Sequence, residues 1–177
     1  MIKFLTKSVV FLCTIFMVII SGMITSCEED KDVANTINET IVFEGITVTD
    51  NNGWVIENDP DDWTLAENWS DKENSLFVGK NVSACDNANS EYLIHPAFLN
   101  PCINQFNLGF TKPANSRFAF RIVDRNYNVL LSQDSVFSNG IAINVQDFNI
   151  TNDTVRLYYK FFGLDCELKG HGDIKIN

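Results

Sequence analysis

The chain has 177 residues, 45% of them hydrophobic, 12% aromatic and 20% charged, a balance that excludes a disordered chain. That length excludes a barrel enzyme of roughly 250 residues and leaves one ordinary domain behind any targeting segment. Acidic residues number 23 against 13 basic ones, a formal charge of −10, which argues against nucleic acid, whose phosphates need clustered Lys and Arg.

Lys3 and Lys7 precede an apolar run from Val9 to Ile20, and Ser21-Gly22 then loosens the chain. This is the layout of a secretory signal rather than of a spanning helix of about 20 residues. The alternative, an uncleaved signal anchor, reads the apolar stretch over residues 8–25. Ile24-Thr25-Ser26-Cys27 resembles the lipobox of bacterial lipoproteins. The resemblance implies that residues 1–26 are removed and that Cys27 is acylated, becoming the membrane anchor of the mature chain. Two or three acyl chains on one residue hold firmly where a single chain does not. Loss of Lys3 and Lys7 leaves 11 basic against 23 acidic residues, a net −12.

Glu28-Glu29-Asp30-Lys31-Asp32 opens an acidic tether over residues 27–39, which anionic headgroups repel into solvent. It is similar to the acidic export signal of Bacteroidota lipoproteins. The expected location is the outer membrane, lipid-anchored, with the periplasmic and surface faces both open. Charge then divides the mature chain. Residues 28–98 carry 16 acidic and 3 basic side chains, and residues 99–177 carry 7 and 8. The change falls between Pro96 and Pro101, where a boundary is expected between an acidic mixed segment (40–98) and a second domain (99–177).

In the acidic segment, Thr40 to Thr49 is β-branched and predicts one or two strands. Asp50-Asn51-Asn52-Gly53 is a turn signal and Trp54 to Glu57 predicts another strand. Asn58-Asp59-Pro60-Asp61-Asp62 reads as a loop. Ser70 and Glu73 have capping-box spacing, predicting a short helix through Leu76 and Phe77.

Beyond Leu99 the apolar period is two, as in strands, and not 3.6. Phe106 to Phe110, Phe118 to Asp124, Ile141 to Val145, Val155 to Phe161 and a last strand towards Ile176 predict an all-β antiparallel sandwich. Asn100-Pro101, Pro113, FRIVDRNYNVL (120–130) and VRLYYK (155–160) resemble the immunoglobulin-like module of flagellar hook-capping proteins and type IX secretion sorting domains. That family has Pro before the Asn-Pro, Tyr where Val123 stands and Gly where Tyr127 stands. The resemblance implies an immunoglobulin-like fold. A sorting role would be redundant on a lipid-anchored chain, and Tyr127 predicts a different or longer turn.

Cys85, Cys102 and Cys166 remain in an oxidising compartment once Cys13 and Cys27 are accounted for. The immunoglobulin-like topology implies adjacent first and last strands, hence a Cys102–Cys166 bridge as the favoured pairing. Cys85–Cys102 and no bridge stay open. No two of the three sit at zinc-ligand spacing.

Catalytic motifs are missing around His95 and His171, and no enzyme, cofactor or metal is expected. His171 with Asp173 forms a candidate orienting pair, though Gly170-His171-Gly172 reads first as a bend or bulge in the last strand. Trp54, Trp63 and Trp69 amid Asp and Asn are the residue types of a sugar platform, against the plainer reading of core plugs. Asp59, Asp61 and Asp62 offer oxygens for calcium without the spacing of a known loop. Asp134-Ser135-Val136 and Asp153-Thr154-Val155 match a short Bacteroidota O-glycosylation motif, with Ser135 the better acceptor. The expected function is a non-enzymatic envelope lipoprotein that contacts another envelope protein, and the alternative is a carbohydrate-binding accessory lipoprotein.

Overall fold

The computed structural model describes residues 39–65, 67–77, 79, 85, 91–162 and 166–177. Cys27, the signal segment and nearly all of the tether lie outside them. A hairpin of β1 (Val48–Thr49) and β2 (Val55–Glu57) comes first, followed by the helix α1 (Asp71–Ser75) and a short strand β3 (Leu93–Ile94). Then come β4 (Gln105–Thr111), β5 (Arg117–Val123), β6 (Val129–Val136), β7 (Gly140–Asn144), β8 (Asp153–Phe162) and β9 (Glu167–Ile176). The sheets are antiparallel, in the orders β3-β4-β7 and β6-β5-β8-β9. The described chain is therefore all-β apart from α1 and one 3-10 turn at Gln146–Phe148.

Alternation places Phe106, Leu108 and Phe110 of β4 and Ile143 of β7 in one core with Phe118, Phe120 and Ile122 of β5. Val155, Leu157, Tyr159 and Phe161 of β8 and Leu168, Ile174 and Ile176 of β9 complete it. Full burial of a side chain of this kind stabilises by about 1.5–3 kcal/mol, so this layer dominates the fold.

Strands β5 and β8 are buried on their other face too. Ala119, Val123 and Tyr158 pack there against Ile41, Trp69 and Phe77. The acidic segment thus covers the outer face of the four-stranded sheet, and residues 38–177 form one compact unit. The cover meets a basic face. Arg121 lies 4.8 Å from the Phe77 ring and donates to the Leu76 carbonyl at 3.0 Å. Lys160 and Lys169 stand 5.2 and 5.1 Å from Trp69, and Lys160 also pairs with Glu167 at 3.3 Å.

Local signals explain the cover. The capping box is present: Glu73 N–H donates to Ser70 Oγ at 3.3 Å and Ser70 N–H donates to Glu73 Oε2 at 2.7 Å. The helix it starts is shorter than expected, because Leu76 is already the C-cap and Phe77 turns into the cover. Asp50 Oδ1 accepts from the N–H groups of Asn52 and Trp54, both at 2.8 Å, with Gly53 at φ 83°. Of the stretch Thr40 to Thr49 only Val48–Thr49 becomes strand, since Ile41 serves the cover instead. At the β5–β6 connection Tyr127 itself takes φ 64°. A longer turn is not needed: its ring stacks 6.3 Å from Tyr158, which offsets a left-handed cost of about 1–2 kcal/mol.

The disulfide corrects the favoured pairing. Cys85 is bonded to Cys166 across a sequence separation of 81, and Cys102 is a buried free thiol. Cys102 does lie beside β9, but at its far end: its N–H donates to Lys175 and its carbonyl accepts from Asn177, each at 2.9 Å. Cys166 precedes the first residue of that ten-residue strand, roughly 30 Å away at about 3.3 Å per residue. A disulfide requires α-carbons about 4.4–6.8 Å apart, so Cys102 cannot reach it.

Candidate functional site

Strand β9 is an edge strand of the four-stranded sheet, and unpaired edges must be managed. Here earlier segments cover it. Trp63 N–H donates to the His171 carbonyl at 2.7 Å. The outward N–H groups of His171, Asp173 and Lys175 donate to side-chain oxygens of Glu67, Asp62 and Asn100 at 3.1, 3.0 and 2.9 Å.

No bend interrupts the strand at Gly170-His171-Gly172, since pairing with β8 runs unbroken from Glu167 to Ile176. The two glycines serve proximity instead. A Cβ on Gly170 would collide with the Thr64 carbonyl, and one on Gly172 would fall within the Trp63 ring. Period two then turns His171 and Asp173 to the outer face. There they line a cavity of about 400 Å³ beneath the acidic cover.

Seven carboxylates line it: Glu44, Asp59, Asp61, Asp62, Glu67, Glu73 and Asp173. Arg156 and His171 are the basic groups among them, and Val42, Trp69 and Asn68 complete much of the wall. Asp173 is buried and forked onto Arg156, at 2.7 Å through both oxygens. Asp62, also buried, accepts from Thr47 N–H at 2.9 Å as well as from Asp173 N–H. His171 Nδ1 lies 2.7 Å from Glu67 Oε2.

Burial, and secondarily the neighbouring Asp173, pushes the Asp62 carboxyl up to about 6. Burial also raises Asp173, against the opposing pull of Arg156. Glu67 is held below its ordinary value: burial would raise it, but its bonds to His171 and to the Thr64 hydroxyl prevail. Tyr159, whose hydroxyl donates to the Thr64 carbonyl at 2.6 Å, is raised well above its ordinary value by burial and then by Glu67 and Asp62. The cavity is therefore a site for positive charge or for hydroxyl donors. Asp62, His171 and Asp173 each offer one metal-ligand atom, all within 4.8 Å of one another.

The other expected site residues scatter. Trp63 stacks on Tyr159 at 6.1 Å and belongs to the inner core. Trp69 belongs to the outer cover and lines the cavity. Trp54 is 74% exposed on the hairpin, so the three tryptophans form no common platform. His171 pairs with Glu67 and Asp173 with Arg156, rather than with each other. Ser135 is exposed on β6, Thr154 is half-buried on β8, and the Asp of each motif is ion-paired, Asp134 with Arg121 and Asp153 with Arg125. Of the calcium candidates only Asp62 is buried.

Sequence reasoning missed Arg156 and Glu67. The available signal was the His171-x-Asp173 spacing, which on any strand puts both side chains on one face. Compared with known proteins, the chain matches no protein-family model and no curated sequence.

Proposed function

We propose that the protein is a non-enzymatic binding module of the bacterial cell envelope, anchored in the outer membrane through acylated Cys27, whose immunoglobulin-like sandwich engages an envelope protein. One observation carries the interaction reading. Trp54, Val55 and Ile56 are 74%, 45% and 70% exposed in succession, at the start of strand β2, whose described sheet neighbour is β1 alone. Exposed backbone with a Trp anchor and acidic flanks at Asp50 and Glu57 suits a partner strand bearing basic residues.

The strand order supports the immunoglobulin-like assignment. Counted from β3, the first, second and fifth strands share one sheet, and the fourth, third, sixth and seventh share the other. A constant-type immunoglobulin domain groups A, B, E and D against C, F and G. The order here differs only in the fourth strand, which lies beside the third.

A photoreactive residue in place of Trp54, in intact cells, should yield one reproducible adduct with an envelope protein, and Ile56→Asp should abolish it. Adducts that Ile56→Asp leaves unchanged would refute the interaction reading. A second reading, carbohydrate binding, is favoured by the cavity, where Asn68 and the carboxylates supply hydroxyl-bonding groups. Glycan-array binding lost in Asn68→Ala and indifferent to Trp54→Ala would select it.

A further inference from the structure

We propose that the floor of the outer-face cavity binds one divalent transition-metal ion of the zinc type, with Asp62, His171 and Asp173 as its protein ligands. Their ligand atoms lie within 4.8 Å of one another. Donors held at about 2.0–2.2 Å from such an ion sit roughly 3–4 Å apart, so the three have at most about 1–2 Å to close on binding. The placement is built by the fold. His171 and Asp173 are two residues apart on β9, and Asp62 is held against them by its bonds to Thr47 and Asp173 N–H groups.

Charge is the second ground. Seven carboxylates line the cavity against two basic side chains, Arg156 and His171, and an excess of acidic groups around a partly buried floor favours a bound cation.

The imidazole is the third ground, because it makes the cluster more than a set of acids. In the tautomer that donates Nδ1–H to Glu67, Nε2 carries the lone pair that a metal takes, and a carboxylate behind the ring is the usual support of a metal-bound His. One nitrogen and two carboxylates suit a zinc-type ion better than calcium, which takes six to eight oxygens. The cavity gives access from solvent and room for water at the remaining coordination positions. This site is independent of the Trp54 hairpin, and either can fail without the other.

The test is calorimetric titration of the chelator-treated protein with Zn²⁺, with Ca²⁺ and Mg²⁺ in parallel. One equivalent of Zn²⁺ should bind. His171→Ala should weaken it at least about tenfold, and His95→Ala, at an exposed histidine outside the cavity lining, should leave it unchanged. Because Asp62 is buried, His171→Ala with its near-ultraviolet circular dichroism intact is the decisive variant. Co²⁺ should give a visible absorption band in the wild type that this variant lacks. The proposal is overturned by no Zn²⁺ binding, by binding that His171→Ala leaves unchanged, or by preference for Ca²⁺ or Mg²⁺.

Discussion

At the scale of single residues, Asp62 makes a pH prediction whose sign follows from its burial. Its carboxyl titrates near 6 in the folded chain against about 3.9 unfolded. Between those values the native state binds the proton more than the unfolded state does. Asp62 therefore adds stability as pH falls through about 6, complete below about 4, and withholds it at neutral pH. The bound is about 3 kcal/mol. Glu67, held low, acts in the opposite direction, so the comparison must be differential. With chelator present, urea unfolding should show wild type gaining on Asp62→Asn by roughly 2–3 kcal/mol between pH 7 and pH 4. A constant difference across that range would contradict the buried Asp62–Asp173 pair.

At the scale of elements, β9 is decided by what crosses it. Gly172 faces Trp63 closely enough that any Cβ would enter the ring. Gly172→Ala should force Trp63 from its stack on Tyr159 and cost about 1–3 kcal/mol, the usual range for overpacking. Gly109, on β4, is the control. There an added Cβ would meet only the His95 side chain at 3.6 Å, so Gly109→Ala should change the urea midpoint little. Equal effects would mean that Trp63 does not lie against the strand. The capping box at Ser70 and the Asx turn at Asp50 were legible from sequence because each is satisfied within three or four residues. The shortness of α1 was not, because Phe77 leaves the helix to reach a sheet residue far along the chain.

At the scale of the whole molecule, the change of charge at Leu99 marks the two sides of one interface. The acidic segment lies over Arg121, Arg156, Lys160 and Lys169, with Phe43, Trp69 and Phe77 between. The Cys85–Cys166 bridge ties the end of that segment to the start of β9. A loop of this length constrains the unfolded chain by about 4 kcal/mol, so reduction should lower unfolding stability by that order. Non-reducing peptide mapping should link Cys85 to Cys166. Cys102, whose thiol burial pushes above its ordinary value, should resist alkylation until the protein unfolds. A Cys102-containing bridge would overturn the strand placement.

The all-β class and the span of most long strands follow from local residues alone, because period-two burial is a pattern read directly from Phe118, Phe120 and Ile122 or from Val155 to Phe161. So do the turn at Gly53 and the helix start at Ser70. Tertiary structure alone decided which cysteines meet, that Trp63 and Trp69 fall on opposite faces of one sheet, and that Asp62 reaches His171 and Asp173. Those outcomes depend on which end of β9 a distant segment crosses. That is fixed by the summed packing of the whole chain, and no local run of residues encodes it.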